Sequence, residues 1–280
     1  MTRRVFVGVL CAACAICAQS DLRLPNNKDG LRFAVIGDTG TGERPQYEVA
    51  DQLARYHDAF PFEFVLMMGD NLYGGEKPRD FVVKFEKPYA ALLQQGIKFY
   101  ATLGNHDDPN QRSYKGFNMN GQRYYTLKPR NNIEIFCLDS NYMDPPQVDW
   151  LKKELSGSKA DWKIAFFHHP LYSSGAKHGP EQELRNVLEP MFIDNGVSVV
   201  FAGHEHFYER LKPQKGIQYF TEGGSAKLRK GNIRMEEETA KGFDTDNTFM
   251  LCEIDGDELH FQTITRRGET IDGGVVARRK

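Results

Sequence analysis

Five apolar segments of the sequence each end in residues that can carry chemistry. Runs of this length, bounded by glycine or polar residues and separated by segments with helical spacing, predict β-strands that alternate with helices. The carboxyl ends of parallel strands meet at one edge of a sheet, where open α/β sheets bind their ligands. The pattern therefore predicts an α/β fold with one site at the strand ends. The segments are LRFAVIGD (31–38), FEFVLMMGD (62–70), IKFYATLGNHD (97–107), WKIAFFHH (162–169) and VSVVFAGHEH (197–206).

The other segments complete a single domain, which we place at 30–280. Hydrophobic residues make up 40% of the chain and charged residues 26%, which supplies a sizeable core and excludes a disordered or fibrous protein. The formal net charge of −2 shows no basic surplus that would indicate nucleic-acid binding. Helices are predicted at 45–59, 79–95 with a break at Pro88, 145–155 and 180–194; strands are predicted at 124–127, at 133–138 and from 217 onward, with a hairpin at 248–265 around Asp255–Asp257.

The N-terminal segment has the pattern of a secretory signal peptide. Arg3 and Arg4 precede an apolar or small-residue run from Val5 to Ala18, which is too short for a comfortable membrane span. We predict a signal peptide at 1–18 and a secreted, periplasmic or lysosomal mature protein without a stable membrane span. A buried N-terminal helix, or a lipoprotein anchor on one of Cys11, Cys14 and Cys17, would be the alternatives.

Two cysteines remain beyond that segment, and both lie in strand-like runs. Cys137 stands in IFCLD and Cys252 in FMLCEI. Export would permit a disulfide, whereas cysteines inside strands are more often buried free thiols. The sequence leaves both states open.

Four short motifs at the strand ends carry the chemical signal. They are Gly-Asp within GDTGTG (37–42), GDNLY (69–73), GNHD (104–107) and GHEH (203–206). The first does not match a dinucleotide-binding or a Walker A loop. In GHEH, residues i and i+2 of a strand point the same way, so both imidazoles are predicted to reach one site, with Glu205 pointing away. The motifs differ in specificity, with Gly-Asp the weakest and GNHD the most specific, and their order and placement together make chance improbable.

The order GDTG, GDNLY, GNHD, HHP, GHEH resembles the metallophosphoesterases, and specifically the purple acid phosphatases. Gly40 stands where the wider superfamily has a histidine, and Tyr73 where it has a second aspartate. That pair of exchanges is the purple acid phosphatase pattern. The resemblance covers nearly all of the chain from about Arg32, with the length of the small, single-domain type. It implies a β-sandwich flanked by helices, in α/β/β/α layers, as the single metallophosphoesterase catalytic domain.

The resemblance also implies two metal ions that share one carboxylate. Asp70 would bridge them. His168 is preferred to His169 because the family pattern is His-x-Pro, although His169 remains the alternative ligand. The first ion would be held by Asp38, Asp70, Tyr73 and His206, and the second by Asp70, Asn105, His168 and His204.

The chemistry of these donors indicates which metals they suit. Carboxylate and phenolate oxygens are hard ligands, and a phenol with a pKa of about 10 needs a strong Lewis acid to stay ionised near neutral pH. The first position therefore suits Fe(III). Imidazoles and an amide suit a divalent Fe, Zn or Mn ion in the second. The net positive site that results would suit phosphate.

From this we predict an acid phosphatase in which a metal-bound hydroxide attacks the phosphorus of a phosphate monoester. A trivalent ion would keep that hydroxide deprotonated in acid. His106 would hydrogen-bond the phosphoryl oxygens and Asp107 would orient its ring. The resemblance gives His178 the tasks of binding phosphate and protonating the leaving alcohol. His106, His178 and Asn105 would thus contact the substrate.

Two other functions stay open at this point. The same core would support a phosphodiesterase acting on nucleotides or on diesters derived from phospholipids. The chain could also be a catalytically inactive, metal-dependent binding protein. For the leading hypothesis, an acid phosphatase, we expect a small phosphorylated substrate and inorganic phosphate as product. We expect no binding to a nucleic-acid scaffold. The segment 110–129 would be either a wall of the substrate pocket or an ordinary loop.

Overall fold

A computed structural model describes residues 21–280, so the predicted signal peptide and its three cysteines lie outside the described residues. The described chain contains thirteen strands, five α-helices and several short turns of 3₁₀ or π geometry. The strands are β1 (Leu31–Ile36), β2 (Phe64–Met67), β3 (Lys98–Ala101), β4 (Tyr125–Arg130), β5 (Ile133–Cys137), β6 (Trp162–Phe166), β7 (Val197–Ala202), β8 (Tyr208–Leu211), β9 (Gln218–Glu222), β10 (Thr239–Phe243), β11 (Thr248–Asp255), β12 (Glu258–Thr265) and β13 (Thr270–Ala277).

The helices follow the predicted positions with one exception. The segment predicted as helical at 79–95 with a break at Pro88 is three pieces: α2, a π-helical turn at Val82–Glu86, and α3, with Pro88 in the turn between the last two. Proline removes a backbone donor and clashes with the preceding turn, which explains the break. The helices are α1 (Arg44–Ala59), α2 (Pro78–Phe81), α3 (Ala90–Gln94), α4 (Pro145–Gly157) and α5 (Gln182–Asp194).

The strands form two mixed sheets. One has the order β13-β12-β11-β1-β2-β3 and the other the order β10-β8-β9-β7-β6-β5-β4. β1, β2 and β3 are parallel to one another, and so are β5, β6, β7 and β9. The predicted hairpin is present, since β11 and β12 pair from Thr248 with Thr265 to Asp255 with Glu258.

Side-chain alternation along the strands builds the layers. Phe33 and Val35 of β1 lie in a core between the two sheets, whereas Ala34 and Ile36 pack in a second core with α1. The Phe33 ring meets Phe201 of the other sheet edge-on, at a centroid distance of 6.1 Å. Each buried side chain of this size contributes about 1.5–3 kcal/mol.

A third core lies on the outer face of the second sheet, where α4 and α5 pack through Leu151, Leu155, Leu188 and Phe192. The order is therefore helix, sheet, sheet, helix, as the α/β prediction required. Cys137 and Cys252 are buried free thiols. Among residues 21–280, no helix combines the length and the apolar character that a bilayer span requires.

Three of the strands end earlier than their sequence patterns predicted. β3 ends at Ala101, β6 at Phe166 and β7 at Ala202, so the polar motifs lie in loops. β8 was not predicted, because YERL carries two charged residues in four and resembles a loop. The parallel strands of both sheets nevertheless deliver their C-terminal loops to one edge of the sandwich.

Candidate metal centre

The loops after the strands are tightly bent, which turns their side chains towards a common point. Asp38, Asp70 and His204 all have positive φ, at 54°, 50° and 68°, a region that most residues avoid. Gly104 allows a close approach of two loops, because a Cβ there would lie 2.1 Å from the Asp70 Oδ1 atom. Backbone strain of this kind concentrates at functional sites.

Asp38, Tyr73 and His206 form the first half of the centre. The Tyr73 hydroxyl donates to Asp38 Oδ1 at 3.0 Å and lies 3.3 Å from His206 Nε2. The same His206 atom lies 3.4 Å from Asp38 Oδ1. Two oxygens and one nitrogen thus converge within hydrogen-bond distance of one another.

Asn105, His168 and His204 form the second half. The Asn105 Oδ1 atom lies 3.1 Å from His168 Nε2 and 2.9 Å from His204 Nδ1. The two imidazole nitrogens are 3.2 Å apart. The three donors come from the loops after β3, β6 and β7.

Asp70 lies between the halves. Its Oδ1 atom is 3.5 Å from His168 Nε2 of the second half. Its carboxylate also groups with Asp38 and His206 of the first, the three offering ligand atoms that all lie within 4.8 Å of one another. Because Asp70 alone reaches both groups among these donors, it has the position that a bridging ligand requires.

Burial and mutual repulsion oppose the ionisation of the oxygen donors unless a positive charge lies among them. Burial, and next to it the Asp70 carboxylate, raise the pKa of Asp38 well above its ordinary value. Burial followed by the charges of Asp38 and Asp70 raises the pKa of Tyr73. Crowded oxygen donors that cannot ionise together without a counter-charge are a natural cation site.

The three imidazoles are held neutral, with lone pairs available. Burial lowers the pKa of His168 well below its ordinary value. Burial and then the neighbouring imidazoles lower the pKa of His204 to about 2, and burial and then Arg229 lower that of His206 to about 4. Metal ligation requires neutral imidazole, so this donor set fits two cations.

His169 lies at the edge of the second half. One of its ring nitrogens groups with those of His168 and His204 within 4.8 Å. Its Nδ1 atom is 2.9 Å from the Ser140 hydroxyl, which occupies that nitrogen. The preference for His168 over His169 stays a prediction.

His106 and His178, which are predicted to contact the substrate, are both exposed and lie beside opposite halves of the metal centre. The His106 ring lies 5.1 Å from the Tyr73 ring, centroid to centroid. The His178 ring lies 4.4 Å from that of His204. Asn105 is exposed as well, so all three residues are accessible to a ligand placed over the centre.

Asp107 makes a set of loop contacts that the sequence did not predict. Its carboxylate accepts from the backbone N–H groups of Gly104, Asn71 and Leu72 and from the side chain of Gln111. Within residues 21–280, no hydrogen bond joins it to the His106 ring. Burial raises the pKa of Asp107 to about 7. Asp107 therefore stabilises the loop that carries Asp70 and Tyr73, and its orienting role for His106 stays a prediction.

GHEH converges by a different geometry from the predicted one. Residues 204–207 form a bend rather than a strand, and His204 and His206 go to different halves. Glu205, set aside in the sequence, is fully buried and accepts hydrogen bonds from Gly179 and Asn232. Its place between two predicted ligands was the signal that could have singled it out.

Two further features lie beside the centre. The Lys227 ammonium is 4.6 Å from the centroid of the Tyr73 ring, a cation–π contact that no sequence motif predicted. A cavity of about 430 Å³ borders Asn105 and His169. Its lining comes from 103–109, 140–142, His169 and the start of α5, so the segment 110–129 does not form its wall.

Comparison with known proteins agrees with this geometry. The sequence model of the calcineurin-like phosphoesterase family matches residues 31–208. Rat tartrate-resistant acid phosphatase type 5 is 26% identical over 299 residues, covering 89% of this chain and 91% of the relative. Arabidopsis thaliana purple acid phosphatase 17 is 29% identical over 247 residues, covering 75% and 72%.

Solved structures share the fold. A purple acid phosphatase from seeds of yellow lupin (Lupinus luteus) superposes with a TM-score of 0.72 at 16% identity, covering 91% of this chain and 55% of that one. GAP50, described as the anchor in the inner membrane complex of Plasmodium, gives 0.76 at 21% identity and covers 90% of each chain. The family match spans more than half of the sequence and the resemblance drawn from the motifs is confirmed: this chain belongs to the calcineurin-like phosphoesterase family, with purple acid phosphatases among its relatives.

Proposed function

We propose that this protein is a binuclear-metal acid phosphatase that hydrolyses small phosphate monoesters. The relatives bear out the predicted enzyme class, acid phosphatase. The observation that carries the finer proposal is the place of Asp70, 3.5 Å from His168 on one side and grouped with Asp38 and His206 on the other. A carboxylate in that position suits two adjacent cations.

The donor chemistry supports a mixed pair of metals. The first half offers two oxygens of high basicity, Asp38 and Tyr73, which suit Fe(III). The second half offers the neutral donors Asn105, His168 and His204, which suit divalent Fe, Zn or Mn. Cations held there would supply Lewis acidity, polarising the phosphoryl oxygens and activating the attacking water.

The residues around the centre have distinct tasks in the proposed reaction. His106 and Asn105 hydrogen-bond the phosphoryl oxygens as negative charge develops on them. The oxygen of water joins phosphorus while the ester P–O bond breaks. His178 donates its proton to the oxygen of the departing alcohol, so that a monoester and water give an alcohol and inorganic phosphate.

The cavity of about 430 Å³ beside Asn105 and His169 offers space for the alcohol part of the substrate. It is lined by polar and apolar side chains together, including Ser140, Asn141 and Leu184. A cavity of this size and mixed lining suits a small organic group rather than a polymer.

Two assays test the proposal together. The turnover of an aryl phosphate monoester and of its bis-aryl diester is compared at pH 5, and the metal content of the same preparation is measured. We expect the monoester to be preferred and close to two metal ions per chain, one of them iron. Preference for the diester would indicate the phosphodiesterase, and bound metal without turnover would indicate the metal-dependent binding protein.

We also propose that the protein is secreted. The support is the run from Val5 to Ala18 behind Arg3 and Arg4. N-terminal sequencing of the mature protein is the test. A new N-terminus near residue 19 is expected, whereas a retained Met1 would contradict secretion through this segment.

A further inference from the structure

Glu205 is a buried carboxylate that faces the loop carrying His178. It stands between His204 and His206 in the chain and is fully inaccessible to solvent. Its Oε1 atom accepts the Gly179 backbone N–H at 2.9 Å, and its Oε2 atom accepts the Asn232 side-chain amide at 3.0 Å. Burying a carboxylate is costly unless hydrogen bonds satisfy it. These contacts therefore bind the loop to Glu205.

The loop itself has little regular structure of its own. It touches the segment 232–234 through backbone bonds, with Ala176 N–H donating to Asn232 O at 2.8 Å and Arg234 N–H donating to Ser174 O at 3.1 Å. Its residues 176–178 are exposed. A loop of this kind samples many conformations unless side chains hold it.

Gly175 shows how closely the loop and the carboxylate approach each other. A Cβ at Gly175 would lie 2.1 Å from Glu205 Oε1, so only glycine fits without displacing one of them. Glu205 thus contacts the loop at both ends of residues 175–179, at Gly175 and at Gly179. His178 is the residue immediately before the second contact.

The chain connections carry this restraint to the metal centre. Glu205 adjoins His204 in sequence, and Gly179 adjoins His178. The hydrogen bond between Glu205 and Gly179 therefore ties the two histidines together, and their rings lie 4.4 Å apart. Arg229, with Nη1 at 3.7 Å from Glu205 Oε2, offsets the charge of the buried carboxylate.

We propose that Glu205 is a positioning residue that holds His178 over the second half of the centre, where the imidazole reaches the oxygen of the leaving alcohol. The proposal rests on the proposed function in its assignment of His178. Glu205 itself touches no substrate. The short segment 204–206 thus supplies two imidazoles to the centre and a carboxylate to the loop opposite it.

The test measures how rate depends on the leaving group, using phosphate monoesters that range from nitrophenyl to simple alkyl. A nitrophenolate departs without a proton, but an alkoxide needs one, and general acids contribute about 10²–10⁴-fold to such steps. We expect Glu205→Ala to lower kcat for alkyl phosphates by about ten- to a hundredfold and to leave nitrophenyl phosphate within a few-fold. Glu205→Gln, which keeps an acceptor for Gly179, should recover part of the loss.

A double-mutant comparison separates the two levels of the proposal. His178→Ala should show the same selective loss, and adding Glu205→Ala to it should change nothing more. If His178→Ala affects all leaving groups equally, the assignment of His178 under the proposed function fails. If His178→Ala is selective but Glu205→Ala is uniform or silent, the positioning role of Glu205 is overturned.

Two additional measurements do not depend on the activity of Glu205→Ala alone. Hydrogen exchange at Gly179 in the metal-loaded protein should become faster in Glu205→Ala with the metal content unchanged; loss of metal, or unchanged exchange, overturns the proposal. Gly175→Ala displaces the loop without removing the carboxylate and should give the same selective loss. Glu134→Gln is the control. It alters another buried carboxylate, near the start of β5 and away from the metal centre, and its rates with all leaving groups should resemble those of the parent.

Discussion

The Nδ1 atom of His168 lies 2.8 Å from the carbonyl oxygen of Met68. A carbonyl can only accept a hydrogen bond, so Nδ1 carries the proton and the lone pair is on Nε2. That nitrogen lies 3.1 Å from Asn105 Oδ1. A loop of the first sheet therefore orients a histidine of the second sheet in the way that metal-binding histidines are commonly oriented.

This orientation predicts different outcomes for the two adjacent histidines. His168→Ala should lower the metal content from about two ions per chain towards one, because it removes a donor at the buried end of the second half. His169→Ala should keep both ions, because it leaves in place the His168 Nε2 atom that lies 3.1 Å from Asn105 Oδ1 and 3.5 Å from Asp70 Oδ1. Metal analysis after gel filtration is the measurement. Loss of an ion from His169→Ala alone would reverse the assignment.

Asp70 gives the strongest expected effect on activity. Asp70→Asn removes the charge that faces both halves, so we expect loss of metal and a fall in kcat of more than about a hundredfold, beyond the usual effect of residues that only support ligands. The activity on an aryl phosphate and the metal content of the same sample should fall together. Asp51→Asn, an exposed position on α1, is the matched control. Unchanged turnover in Asp70→Asn would defeat the binuclear site.

Tyr73 predicts a spectroscopic signature. If its phenolate is bound to Fe(III), the oxidised protein absorbs visible light, and Tyr73→Phe should remove that band while the second half keeps its ion. Tyr100→Phe, a substitution of a partly buried tyrosine in β3, should leave the spectrum unchanged. A colourless oxidised parent, or a band that survives in Tyr73→Phe, would contradict iron at this position.

The sequence predicted the site better than it predicted the loops that build it. Apolar strand runs and the residues that follow them pointed to six of the donors that the structure brings together, because strand ends in such sheets face one edge. The seventh donor, Tyr73, was predicted only from the resemblance to the purple acid phosphatases. The bends at Asp38, Asp70 and His204 could not be predicted, since positive φ at these residues is imposed by packing of the whole sandwich.

Asp107 and Glu205 show a second limit. Each is a carboxylate whose task depends on which backbone N–H groups come to it from elements distant in sequence, such as Gly179 for Glu205. Pattern and spacing carry no information on such partners. The resemblance to a family likewise names ligands, but not the groups that hold the surrounding loops.

Glu222 provides a prediction about stability. It ends β9, is fully buried, and accepts hydrogen bonds from Thr248 at 2.8 Å and Ser225 at 3.4 Å. Burial raises the pKa of Glu222 from its ordinary value of 4.5 to about 8, against the effect of those donors. Between these two pH values the folded protein keeps a proton that the unfolded chain releases.

The sign of the pH effect follows from that proton. Because the folded state binds more protons, the free energy of unfolding falls as pH rises from 4.5 to about 8, by at most about 1.4 kcal/mol per pH unit. Glu222→Gln cannot titrate, so its stability relative to the parent should increase with pH across this range. Urea unfolding at pH 5, 6, 7 and 8 measures the difference, with the exposed Glu237→Gln as control. Parallel pH profiles for the parent and Glu222→Gln would mean that Glu222 is already ionised in the folded protein.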